Sequence, residues 1–68
     1  MKLKETTIVN GSQFTFETEL TTEEKLKVYS HIHQKYPDTT GTAYISRKEI
    51  KFIMGSDSYT CDLDKVLN

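Results

Sequence analysis

A chain of 68 residues with a net charge of −1 and a single cysteine has room for one domain, cannot form an internal disulfide, and lacks the basic excess of a general nucleic-acid binder. Charged residues make up 28% of it, and no apolar run approaches the roughly 20 residues that span a bilayer, so a membrane-spanning helix is excluded. A domain this short buries only about 60% of the surface of its unfolded chain, so its stability must come from well-ordered packing or from assembly with another chain.

The opening MKLKETTIVN has no apolar stretch, so no signal peptide is expected and the cytoplasm is the expected location. Asn10-Gly11 is a turn signal, because both residues tolerate positive φ. It predicts a hairpin over the first 20 residues. With NGSQ as the loop, Val9 faces Phe14, Thr7 faces Phe16 and Leu3 faces Leu20. A two-residue Asn-Gly loop shifts the pairing by two and keeps the same side chains on the inner face. Glu5 is the misfit on that face, and the sheet margin, within reach of a lysine, is the place for it.

Thr21-Thr22-Glu23-Glu24 has the form of a capping box and predicts a helix start there. Pro37 disfavours helical geometry in the residue before it, so the helix should end around Tyr36. At about 100° per residue, Leu26, Val28, Tyr29, Ile32, His33 and Tyr36 share one broad stripe, with Lys27, His31 and Gln34 opposite. A loop over residues 38–41 follows.

The last third predicts three strands, 42–46, 49–54 and 58–63, separated by even-length turns. Their alternation puts Ala43, Ile45, Ile50, Phe52, Met54, Tyr59, Cys61 and Leu63 on one face, and Tyr44, Lys51, Ile53, Thr60 and Asp62 on the other. Residues 64–68 form a tail or a final helical turn, with Val66 and Leu67 over a core edge. The expected fold class is α+β. It is a small five-stranded antiparallel sheet (β-β-α-β-β-β) with one helix packed on one face, in one compact domain over residues 1–68. Counting strands along the chain, the expected order is 2-1-3-4-5, with the first strand between the two that flank the helix.

Few residues carry the signature of chemistry. On a helix, His31 and His33 point about 200° apart and cannot share a metal, unlike an i, i+4 pair. Cys61 falls on the inner face, as a packing thiol beside Phe52 and Leu63, with only Asp62 and Asp64 as polar neighbours in sequence. Asp57 is a turn residue, and Asp62 and Asp64 lack the spacing of a calcium loop. No catalytic, cofactor or metal residue is assigned.

A surface remains. The helix-free face should show Thr6, Thr15, Glu17, Lys51, Thr60 and Asp62 around three apolar intrusions, Ile8, Tyr44 and Ile53, on the three central strands of the expected order. A polar face with an aromatic and aliphatic centre has the anatomy of a protein interface. The expected function is therefore a non-enzymatic protein–protein interaction module. Chains of this size, many of them encoded by bacteriophages, often act as regulators or inhibitors of a larger machine. The expected contact residues are Ile8, Glu17, Glu19, Tyr44, Lys51 and Ile53. The alternative is a weak single-stranded nucleic-acid binder using Arg47, Lys48, Lys51 and Tyr44. A homodimer across the open face or an edge strand is a further option for so small a core.

Overall fold

Asn10 and Gly11 form a two-residue turn with φ of 52° and 84° in the computed structural model, which describes residues 5–68. Both values lie in the left-handed region that a tight hairpin turn requires. The turn joins strand β1 (Glu5–Val9) to strand β2 (Ser12–Phe16), with Val9 opposite Ser12, Thr7 opposite Phe14 and Glu5 opposite Phe16. The shorter of the two expected loops is thus the one formed, and the inner face is the same either way. The Leu3–Leu20 pairing lies outside the described residues.

Helix α1 (Thr22–Lys35) starts at the expected capping box. The Thr21 hydroxyl accepts from the Glu24 amide at 3.2 Å, and the Glu24 carboxylate accepts from the Thr21 amide at 2.9 Å. The helix ends at Tyr36, whose amide still donates to the Ile32 carbonyl before Pro37 stops the run. Three antiparallel strands follow: β3 (Thr42–Ile45), β4 (Glu49–Met54) and β5 (Asp57–Asp62). Gly55, at φ 62°, takes the first central position of the β4–β5 turn. The Ser46 hydroxyl accepts from the Glu49 amide and closes the β3–β4 turn. A short helix, α2 (Leu63–Leu67), ends the chain and packs against α1, β4 and β5.

The five strands lie in sequence order, β1-β2-β3-β4-β5, and the sheet is mixed. The expected 2-1-3-4-5 order and a purely antiparallel sheet are therefore corrected. β2 and β3 pair directly and in parallel, Phe14 beside Ala43 and Phe16 beside Ile45, and β1 lies at the edge. Composition explains the choice. A strand in the middle of the sheet is covered by the helix on its inner face, and β2 supplies two phenylalanines there, both essentially fully buried. The inner residues of β1 are Glu5, Thr7 and Val9, of which none is fully buried. Glu5 sits at the margin and accepts from the Lys25 ammonium through both carboxylate oxygens at 3.1 Å. Placing β1 centrally would have buried that carboxylate under the helix.

The core lies between the sheet and α1: Phe14, Phe16, Val28, Ile32, Ala43, Ile45, Ile50 and Phe52, with Leu63 from α2. Tyr29, His33 and Tyr36 are half-buried at its margins, as the stripe requires. Two helix positions differ from expectation. Leu26 is 54% exposed, whereas His31 is half-buried on the side assigned to water. The helix is rolled so that Val28 and Ile32 point straight at the sheet. That roll turns Leu26 outward and brings His31 down toward β5.

The chain re-enters the sheet at Gly41. A Cβ there would lie 2.2 Å from the Ile53 carbonyl oxygen, a backbone atom that cannot turn aside. The Gly41 amide donates to the buried Ser12 hydroxyl at 3.3 Å, and the Gly41 carbonyl accepts from the Gln13 amide at 2.9 Å. Gly41→Ala should therefore destabilise the fold by about 1–3 kcal/mol, the usual cost of overpacking. Urea denaturation measures this, and an unchanged midpoint would mean that the close approach is not strained.

Candidate functional site

Two regions of the described chain gather side chains that could meet another molecule. The first is the helix-free face of the sheet. Strand registers order it into rows. One runs Ile8, Gln13, Thr42, Ile53, Ser58. The next runs Thr6, Thr15, Tyr44, Lys51, Thr60. Beyond it Glu49 lies opposite Asp62. Tyr44 and Lys51 are thus direct cross-strand partners, and Ile53 is a diagonal neighbour of Tyr44 on the adjacent strand. Tyr44 is 41% exposed. Thr15 is buried on this face, between Thr6 and Tyr44, with its hydroxyl 3.3 Å from that of Thr6.

Ile8 does not join the centre. It is 72% exposed and sits on the edge strand β1, three strands from Ile53 and separated from it by Gln13 and Thr42. At about 4.8 Å per strand that is roughly 14 Å, too far for one apolar patch. The expected three-strand cluster of Ile8, Tyr44 and Ile53 is corrected to a pair, Tyr44 and Ile53, because β1 is not central.

The charged groups also meet differently from their order in sequence. Glu17 follows β2, and its amide donates to the Ile45 carbonyl at 2.8 Å. That bond sets Glu17 beside the β3–β4 turn that carries Arg47 and Lys48. The acidic band, Glu17 and Glu19, and the basic tip, Arg47 and Lys48, therefore occupy the same end of the sheet, all exposed. Lys51 lies one row inward and Glu49 at the turn itself. The rim is mixed in sign.

The second region is the side of α1 that faces β5. The His31 Nε2 and the Tyr59 hydroxyl share a 2.9 Å hydrogen bond, their rings stack at 6.0 Å, and the Cys61 sulfur lies 3.8 Å from the same nitrogen. Tyr36 meets the Tyr59 ring edge-on at 5.6 Å, and the Lys35 ammonium lies 4.9 Å from its centre. His31 also borders a shallow open groove of about 420 Å³ between α1 and α2, with Leu26, Lys27, Ser30, Gln34, Val66 and Asn68. His33 points to the opposite flank, edge-on to Phe14 at 5.9 Å, with Nε2 buried and unpartnered among the described residues. The two imidazoles thus serve different sides of one helix, as their spacing requires.

Sequence order hid this second cluster. In sequence the polar neighbours of Cys61 are Asp62 and Asp64, but in space they are His31 and Tyr59, and the thiol is half-buried at the sheet edge. The alternation of β5 predicts that Tyr59 and Cys61 share a face. Only the roll of α1 brings His31 to them. Asp57 flanks the Gly55-Ser56 turn, Asp62 lies 3.9 Å from Lys65 at the surface, and Asp64 is exposed in α2. Among the described residues no three His, Cys, Asp or Glu side chains converge as a metal would need. No described helix is long and apolar enough to cross a membrane. Set against known protein families, curated proteins and solved structures, the chain matches no family model, no curated protein and no solved structure.

Burial raises the Tyr59 pKa from 10 to about 12, with further contributions from the Cys61 sulfur, by hydrogen bonding and charge, and from Tyr36. Tyr29 is also raised, by burial first; Glu5 adds to the shift and Lys25 opposes it. A raised acid pKa means that the folded chain keeps a proton the unfolded chain has lost. The contribution of Tyr59 is therefore full below pH 10 and is lost as pH rises through about 12. Phenolate absorbance should show a step near pH 12 that Tyr59→Phe removes, together with a shallower fall in stability over pH 10–12. A Tyr59 midpoint near 10 would contradict the enclosed environment.

Proposed function

We propose that the chain is a non-enzymatic protein-binding module whose contact surface is the helix-free face of the sheet. The observation that carries this is the position of Tyr44. An aromatic side chain stands exposed on the middle strand of a face that no described helix covers, beside Ile53 and Lys51 and within a polar rim. Interfaces concentrate their binding energy in such central aromatic and aliphatic anchors and surround them with polar groups. Glu17, Glu19, Arg47 and Lys48 supply charges of both signs at one end, which suits a protein surface of matching pattern. Action as a regulator or inhibitor of a larger protein machine fits the size of the module.

The His31–Tyr59–Cys61 cluster supports the non-enzymatic side of this reading. The imidazole nitrogen nearest the thiol already bonds the Tyr59 hydroxyl at 2.9 Å, and Cys61 does not line the adjacent groove. A nucleophile needs its base free and a space for substrate beside it. One observation favours a single-stranded nucleic acid instead, the direct pairing of Tyr44 with Lys51, which offers a stacking ring next to a cation. Glu17 and Glu49 beside Arg47 and Lys48 oppose it, because they repel the phosphates those cations would attract.

The double variant Tyr44→Ser, Ile53→Ser should abolish capture of a protein partner from native lysate while leaving the circular dichroism spectrum and thermal midpoint close to wild type. Retained capture would move the contact surface elsewhere. Capture that vanishes with nuclease, together with single-strand binding that weakens steeply with salt and with Arg47→Ala, would establish the nucleic-acid alternative.

A further inference from the structure

β5 is an open edge, and the pattern of its free backbone groups is self-complementary. The Leu63 amide donates to the Lys48 carbonyl at 3.0 Å, which sets the alternation of the β4–β5 ladder. In an antiparallel pair, hydrogen-bonded positions alternate with positions whose backbone groups point away. Counting back from Leu63, Tyr59 and Cys61 bond to β4, whereas Ser58, Thr60 and Asp62 direct their N–H and C=O groups outward. Among the described residues nothing pairs with that edge.

Edge strands in monomers are commonly guarded by lysine, proline or a bulge. The segment DSYTCD has no lysine, arginine or proline, and its register against β4 runs unbroken from Asp57 to Asp62. The other edge differs. β1 carries Glu5, locked to Lys25, across its inner margin.

We propose that β5 is a homodimer interface, pairing antiparallel with β5 of a second copy about a two-fold axis through Thr60. The three outward positions are symmetric about Thr60, and that is the one centre that engages all of them. Thr60 then lies opposite itself, and Ser58 lies opposite Asp62 of the second copy, where its hydroxyl can donate to the carboxylate. On the inner face Tyr59 lies opposite Cys61 of the second copy. Both are half-buried in the single chain, where they end the core rows that run from Phe14 through Phe52 and from Phe16 through Ile50. Pairing extends those rows into the second copy and covers their open side. Lys35 lies over the Tyr59 ring on the helix side, and the cation that meets the strand, Lys65, lies 3.9 Å from Asp62 at its end, away from Thr60. The axis stands perpendicular to the sheet, so both Tyr44–Ile53 pairs face the same way, but the interface does not depend on what that face binds.

Analytical ultracentrifugation of the full chain from micromolar to millimolar concentration tests this. The wild type should reach twice the chain mass. Thr60→Lys, which sets like charges face to face, should weaken association by about tenfold or more with an unchanged circular dichroism spectrum. Thr60→Pro should do the same, because it removes an outward N–H and no bond to β4. In a Cys61→Ser background, oxidised Thr60→Cys should give a covalent dimer and Ser58→Cys should not. A monomer at every concentration overturns the proposal, as does a dimer that Thr60→Lys leaves intact, which would place self-association on another surface. If Thr60→Pro fails to fold, Thr60→Lys and the cysteine pair decide.

Discussion

At Gly41 the chain returns from the helix into the sheet through a gap with no space for a side chain, and the other elements depend on that seat. The close approach to the Ile53 carbonyl sets β3 against β4, and the bonds to Ser12 and Gln13 set it against β2. The crossover from β2 through α1 to β3 is thereby fixed at its far end, while the Thr21–Glu24 capping box fixes the start of its helix. With both ends held, α1 has little choice but to lie over Phe14, Phe16 and Phe52.

The seat has a consequence for the surface. Because β2 and β3 pair in parallel, the end of β2 and the β3–β4 turn emerge on the same side, and acidic and basic groups distant in sequence become neighbours. A charge cluster of one sign would have invited a phosphate backbone. The rim instead puts groups of both signs at one end of the face that carries Tyr44 and Ile53. The same pairing sends Ile8 to the edge and so narrows the apolar centre to two adjacent strands.

A domain this size also shows its limits at the margins of the core. One helix covers the middle of a five-stranded sheet more fully than its ends, and β5 depends on His31, Tyr36 and the short α2 for its cover. Tyr59 and Cys61 are left half-buried there, held by a hydrogen bond and stacked rings rather than by close-packed aliphatic side chains. His33 pays on the other flank, with a ring nitrogen buried against Phe14 and no partner among the described residues.

Local rules in the sequence were enough for the elements and for the faces of the strands. Asn10-Gly11 demands positive φ, Thr21 and Glu24 satisfy each other's backbone, Pro37 stops a helix, and a period of two sorts Ile50 from Lys51 whatever lies beside the strand. These depend on residues within a few positions of one another. Strand order does not, because the same alternation serves a strand in any place in a sheet. It was decided by the competition between Phe14 and Phe16 on one strand and Glu5 on the other for the position under the helix. The roll of α1, the exposure of Leu26, and the meeting of His31 with Tyr59 and Cys61 followed from that packing. So did the pairing of Tyr44 and Ile53 without Ile8. All are relations between residues far apart in the chain, and only the closed core brings them together.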